Sequence, residues 1–316
     1  MRSSTHTLVT ADGTPLFVRR WLPDDEPRAV VGIAHGMAEH SARYDRFAQR
    51  LTRSGYAVYA ADHRGHGQTA DASTPDHLYF ADKSGFGTVV DDLREVIALA
   101  RSEQAGLPVF LFGHSMGSFL ARAFAIRWGS DLDGLVLAGT SKDQGVVRIL
   151  GQNIARLQPL VFGRRHRSTF LDSLASGRFN AAFKPNRTPF DWLTRDEAEV
   201  DRYISDAECG NLFTTGAWLD QVEGLVWVNR DRNVARVPKD LPILLVSGDQ
   251  DPVGEMGKGI RWVTAQYERV GVRDVTMRLY PGARHELLNE TNRDEVMDDI
   301  VGWLDERVDT RSTTSG

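Results

Sequence analysis

The chain has 316 residues, 41% of them hydrophobic, with 38 Lys and Arg against 43 Asp and Glu and a single cysteine, Cys209. A chain this long can bury roughly 75% of the surface that its unfolded form exposes, which excludes disorder as the main state. The formal charge of −5 is spread along the chain and leaves no electrostatic footprint for nucleic acid, and one cysteine forms neither an internal disulfide nor a zinc-ribbon spacing.

Met1 to Leu22 alternates polar and apolar residues and lacks the continuous apolar core of a signal peptide. Leu241 to Val246, among the longest apolar stretches, falls far short of the roughly 18 residues of a membrane span. The expectation is a cytoplasmic, reduced protein that touches a membrane at most peripherally.

Thr5 to Val9 and Leu16 to Trp21 alternate about Ala11, Asp12, Gly13 and Thr14, which predicts an antiparallel hairpin. Beyond Pro27 the pattern changes. Ala29 to Ala34, Tyr56 to Ala61, Pro108 to Phe112, Leu135 to Ala138 and Ile243 to Val246 are nearly continuous apolar runs, as expected of parallel strands covered on both faces. Between them, helical spacing marks Tyr44, Phe47, Ala48 and Leu51, then Val89, Leu93, Val96 and Ile97, and later Val296, Ile300, Val301 and Leu304. Strands alternating with helices predict a doubly wound, mostly parallel α/β sheet with an antiparallel start. Lys142 to Pro238 breaks the alternation, because its apolar residues, Val146, Ile149, Leu150, Ile154, Leu157 and Val161 among them, follow helical spacing and no strand is evident. This segment reads as a mainly helical insertion (142–238) in a core formed by 1–141 and 239–316. The small, polar Asp309 to Gly316 is expected to fray.

Gly113-His114-Ser115-Met116-Gly117 follows an apolar run and opens an amphipathic helix. A strand that reverses abruptly into a helix strains its central serine, and small residues two positions to either side leave room for the turn. Ser115 is therefore the candidate nucleophile, and it needs a base to take its proton. Only His166 and His285 lie downstream. His166 sits in the charged run Arg164-Arg165-His166-Arg167, whereas His285 follows the strand-like Val275 to Leu279, so the base is assigned to His285. The acid belongs after the resumed strand, where Asp249 and Asp251 both qualify; Asp251 is favoured because Pro252 biases it to an extended conformation. The oxyanion of acyl transfer needs two fixed donors, here the backbone N–H of Met116 and that of Met37 in the loop Ile33-Ala34-His35-Gly36-Met37.

These residues, with His35-Gly36-Met37-Ala38-Glu39-His40, Asp62-His63-Arg64-Gly65-His66-Gly67, Gly248-Asp249-Gln250-Asp251 and Gly282-Ala283-Arg284-His285, resemble the monoacylglycerol lipase and lysophospholipase group of α/β hydrolases in sequence and order. That group is also labelled serine aminopeptidase-like, and the resemblance runs from about Asp12 to Val308. It implies an α/β-hydrolase fold, an acid at Asp251, and a cap over the active site formed by Lys142 to Pro238. It further implies an acyl-enzyme on Ser115, a small-molecule ester such as a monoacylglycerol or lysophospholipid, no nucleic-acid partner, no cofactor and no catalytic metal. Rival readings on the same triad are a short-chain or xenobiotic esterase, a thioesterase and an amidase or aminopeptidase. From another class comes a ligand receptor with a slow triad.

Three further features each admit more than one explanation. His35, His40, Asp62, His63 and His66 have metal-ligand chemistry, but a glycine-rich turn held by hydrogen bonds explains them better. The stripe from Val146 to Val161 either lines an acyl tunnel, rests on a membrane or packs the insertion onto the core. Arg164, Arg165 and Arg167 read as a solvated charged loop that lipid phosphates would also attract. By charge, the insertion is net +2 and the remainder −7.

Overall fold

The computed structural model describes residues 1–71, 73–142, 156–175 and 178–314. Its centre is an eight-stranded sheet in the order β1-β2-β4-β3-β5-β6-β7-β8. The strands are β1 (Arg2–Val9), β2 (Pro15–Leu22), β3 (Ala29–Ala34), β4 (Tyr56–Ala61), β5 (Val109–His114), β6 (Gly134–Ala138), β7 (Ile243–Gly248) and β8 (Val275–Tyr280). β1 and β2 form the expected hairpin and join β4 antiparallel, while β4 through β8 pair in parallel.

The apolar runs and their burial agree. Every residue of β3 to β7 is buried, whereas β1 and β8 lie at the sheet edges and are more exposed. Two-residue periodicity divides the core by face: Val30, Leu111, Leu135 and Leu245 join one cluster, and Val31, Phe112, Val136 and Leu244 the other. The first face is covered by α2 (Gly85–Glu103), α3 (Met116–Trp128) and α8 (Lys258–Arg269). The second is covered by α1 (Asp45–Arg53) and α9 (Arg293–Thr314). Phe47, Ala48 and Leu51 of α1 bury the helical stripe that the sequence marks, as do Val89, Leu93, Val96 and Ile97 of α2. Helix α9 runs through Thr314, into the small, polar C-terminal segment.

Between β6 and β7 lie α4 (Thr169–Ala175), α5 (Glu197–Ser205), α6 (Thr215–Val228) and the short α7 (Asp231–Val234), besides a helical stretch at 156–162. Asp196 caps α5 by accepting from the N–H groups of Ala198 and Glu199, and Thr214 caps α6 through the Ala217 N–H. Trp192, Leu193, Tyr203 and Cys209 form a small hydrophobic cluster of their own. α6 also packs on α2 and α3. Of the stripe that the sequence marks from Val146 to Val161, the positions from Val146 to Ile154 lie outside the described residues.

Candidate active site

Ser115 ends the turn between β5 and α3 with φ 51° and ψ −119°, a strained backbone for a residue with a side chain. The flanking glycines are there because nothing larger fits. A Cβ on Gly117 would stand 2.0 Å from the Ala34 carbonyl oxygen, and one on Gly113 would stand 2.4 Å from the Gly117 carbonyl oxygen. Close approach of the turn to β3 therefore carries the Ser115 side chain and the Met116 N–H, at the N-terminus of α3, toward the loop at Gly36 and Met37.

A cavity of about 560 Å³ opens there, and Ser115, His285, Met37 and Met116 all line it. His285 lies beyond β8, buried, and its Nδ1 is 3.0 Å from Asp251 Oδ1. Asp251 is itself fully buried and also accepts from the Val253 N–H at 2.9 Å and the Ser247 hydroxyl at 3.3 Å. The other carboxylate of that loop, Asp249, accepts instead from the Gly282 N–H at 2.8 Å, so it shapes the turn before His285. His166, the alternative base, is exposed and stacks on Phe162.

Burial pulls the pKa of His285 down, but the charge and hydrogen bond of Asp251 outweigh it. With Glu286 and Glu39 adding to them, they hold the imidazole above its ordinary value. The neighbouring ring of His114, 4.9 Å away, is pushed down to about 4 by burial and by His285, so it stays neutral.

The oxyanion loop rests on a buried charged network of which the sequence shows only the pieces. The Gly36 N–H and the Tyr44 hydroxyl donate to Glu39, Arg43 donates to Glu39, and Arg43 grips both oxygens of Glu286 at 2.6 Å. Three-residue spacing from Gly36 to Glu39 and four-residue spacing from Glu39 to Arg43 are the only sequence signals for it. Glu286 gives none beyond its place next to His285.

His35, packed on the Asp62-to-Gly67 turn, is engaged through both ring nitrogens, whereas the Nε2 atoms of His63 and His66 in that turn are buried without a hydrogen-bond partner. His35 donates from Nδ1 to the Gly36 carbonyl and accepts from the His63 N–H at Nε2, both at 2.8 Å. Asp62 accepts from the N–H and hydroxyl of Ser41 and from the Gln68 N–H. Burial, with repulsion from neighbouring histidines, holds His35 well below its ordinary pKa; burial first of all pushes His63 to about 4 and His66 to about 3.

The segment between β6 and β7 grips the loop that carries His285. The Glu286 N–H donates to the Leu193 carbonyl at 2.7 Å, and the Arg284 guanidinium donates to the carbonyls of Asp191 and Thr194. Fully buried Glu290 pairs with Arg195 at 2.8 Å. Trp192 lays its ring against His285, with centroids 5.2 Å apart, and no local sequence signal marks it. Leu171, Phe179, Phe190, Trp218 and Leu225 of the same segment give the cavity its apolar walls.

Of the arginines that read as a solvated loop, Arg165 and Arg167 are exposed as expected, and all three meet partners of the chain at the turn Asp76 to Asp82 and on α6. Arg164 pairs with Asp220 at 2.6 Å, Arg165 with Asp76 at 2.7 Å, and Arg167 contacts His77. Leu157, Leu160, Val161, Phe162 and Phe170 are exposed. The described end of the apolar stripe therefore does not pack on the core.

A protein-family model described as serine aminopeptidase, S33, matches residues 25–292. Human monoglyceride lipase is 32% identical over 316 residues, covering 98% of this chain and 92% of its own. Monoacylglycerol lipase of Mycolicibacterium smegmatis is 29% identical over 305 residues, 95% of this chain and 96% of its own. Among solved structures, a highly thermostable carboxyl esterase from Bacillus coagulans in complex with glycerol superposes with a TM-score of 0.90 at 28% identity, covering 98% of this chain and 99% of its own.

Proposed function

Because the chain belongs to the serine aminopeptidase, S33 family, within the monoacylglycerol lipase group of α/β hydrolases, we propose that it cleaves monoacylglycerol- or lysophospholipid-like esters through an acyl-enzyme on Ser115. It is a serine ester hydrolase. The observation that carries the finer reading is the 3.0 Å contact of Asp251 with His285 on the wall of the cavity that Ser115 also lines.

In this mechanism His285 takes the Ser115 proton from its Nε2 side as the hydroxyl attacks the ester carbonyl. Asp251 holds the Nδ1–H tautomer and stabilises the imidazolium without taking the proton. The N–H groups of Met37 and Met116 receive the oxyanion, and the positive end of α3 adds to their field. His285 then protonates the leaving alcohol, and in the second half it activates the water that frees the acid and regenerates Ser115.

Substrate class rests on the walls. Phe119, Leu171, Phe179, Val222 and Leu225 suit an acyl chain, while Asn211 adds a polar group to the same lining for a hydroxylated leaving group. The segment 142–238 serves as the cap that closes this site over the core of 1–141 and 239–316. The exposed Leu157, Leu160, Val161, Phe162 and Phe170 give that cap an apolar face for a lipid surface. That apolar face is the ground for assigning contact at a membrane surface, with the protein placed in the cytoplasm; among the described residues no helix is long and apolar enough to cross a membrane.

A fluorophosphonate label and a substrate panel test the proposal. Ser115 should be labelled stoichiometrically, and a rapid burst of the leaving alcohol, about one equivalent per enzyme, should precede steady hydrolysis of medium- and long-chain monoacylglycerols or lysophospholipids. Activity confined to acetyl or butyryl esters, or to aminoacyl amides, would overturn the substrate class; hydrolysis without labelling of Ser115 would overturn the mechanism.

A further inference from the structure

Behind the cavity wall, three ligand atoms of different chemistry converge from separate parts of the chain. His40 follows the oxyanion loop, and Asp206 and Cys209 lie on the turn between α5 and α6. The imidazole nitrogen, carboxylate oxygen and thiol sulfur lie within 4.8 Å of one another. His40 Nε2 already meets Asp206 Oδ2 at 2.9 Å, and the Glu208 N–H holds the other oxygen of Asp206 at 3.0 Å. We propose that His40, Asp206 and Cys209 form a binding site for a zinc-class divalent cation, which braces the wall of the active-site cavity.

Ligand type, charge and access support this assignment. One thiolate, one imidazole and one carboxylate are a zinc-type set, leaving a fourth position for water. Tetrahedral coordination at zinc distances asks for ligand atoms roughly 3.4–3.8 Å apart, so the cluster closes by about 1 Å while His40 and Asp206 part slightly. Around it one guanidinium, Arg43, stands against the carboxylates of Glu39, Glu286 and Asp206, which leaves a negative surplus. Burial holds the Cys209 thiol well above its ordinary pKa; Arg43 opposes this, and Asp206, Glu39 and Glu286 add to it. A bound cation reverses that balance, and the thiol proton passes to solvent as the metal–sulfur bond forms. Side-chain exposures of 13% for His40 and 35% for Asp206 leave a way in.

The brace reaches the reacting groups through the backbone. The Gly210 N–H and the Tyr203 hydroxyl both donate to the Ala38 carbonyl, at 3.0 and 3.2 Å, and Ala38, Tyr203 and Gly210 all line the cavity.

Cobalt(II) titration of the full chain tests the site, read by the thiolate charge-transfer absorption. One equivalent should bind with release of a proton, and Zn²⁺ should bleach the band. Cys209→Ser should abolish the band, and Asp206→Asn and His40→Ala should each weaken binding at least tenfold. Zn²⁺ should raise the melting temperature of the unaltered chain and leave that of Cys209→Ser unchanged, a comparison that does not depend on any variant of His40. Absence of the band at one equivalent, or an affinity unchanged in Asp206→Asn and His40→Ala, overturns the assignment.

Discussion

At Ser115 a single backbone angle, φ 51°, ties the nucleophile to two glycines, and this is the part of the site most legible in sequence, because steric exclusion acts between near neighbours. Ser115→Ala should remove nearly all hydrolysis with the melting temperature within a degree or two. Gly117→Ala drives a methyl group into the Ala34 carbonyl and should lower stability by about 3 kcal/mol or more, seen in denaturant unfolding. Sequence favours Asp251 and keeps Asp249 as the alternative, since loop conformation decides which carboxylate faces the imidazole. The pH profile separates them. A base must be neutral to act, and the pKa of His285 stands above the ordinary 6.5, so kcat/KM should climb with pH through a value above 6.5. Asp251→Asn removes the attraction and leaves burial, so the limb should move to lower pH while kcat falls by roughly 10⁴. Asp249→Asn should leave the limb in place. The same raised pKa stabilises the folded protein below the unfolded value near 6.5, and that contribution is lost as pH rises through the folded value.

Strands and helices followed from periodicity wherever both faces of the sheet are covered, as in β3 to β7, α1 and α2. Periodicity reports which side of an element is dry, and it is silent about which element lies across the gap. Hence the helical character of the segment between β6 and β7 was readable, whereas its hold on the His285 loop through Trp192, Arg195 and Glu290 was not. Another such contact joins α6 to its surroundings: Asp220 accepts from the Gly85 N–H at 3.2 Å and pairs with Arg164. Burial, opposed mainly by Arg164, pushes its carboxyl up to about 6. A carboxyl raised on folding favours the folded state below the unfolded value near 3.8 and loses that contribution as pH rises to about 6. Across that window the melting temperature of Asp220→Asn should therefore gain relative to the parent chain. A difference between the two that does not vary with pH would contradict the sign.

Over the whole molecule, a mild charge of −5 conceals an uneven surface, with exposed apolar side chains gathered at 157–162 and Phe170. Leu160, 82% exposed, and Phe162, stacked only partly against His166, leave most of their apolar surface open to water. Changing both to Asp should reduce sedimentation with phosphatidylcholine vesicles and turnover of vesicle-borne monoacylglycerol several-fold, with hydrolysis of a dissolved short-chain p-nitrophenyl ester unchanged. Equal loss on both substrates would point to damaged folding in place of a lost surface contact. Sequence by itself determined the α/β class, the strand-turn-helix around Ser115 and the position of His285 in chain order, because local sterics and hydrophobic periodicity act within a few residues. Sequence favoured Asp251 over Asp249 and the structure shows its contact with His285, whereas tertiary structure alone decided that Glu39, Arg43 and Glu286 underlie the oxyanion loop. It also decided that Arg164 meets the buried carboxylate of Asp220, while Arg165 pairs with Asp76 at the surface. Each of those outcomes depends on distances between residues that are remote or ambiguous in sequence, and only the packed sheet brings them within reach.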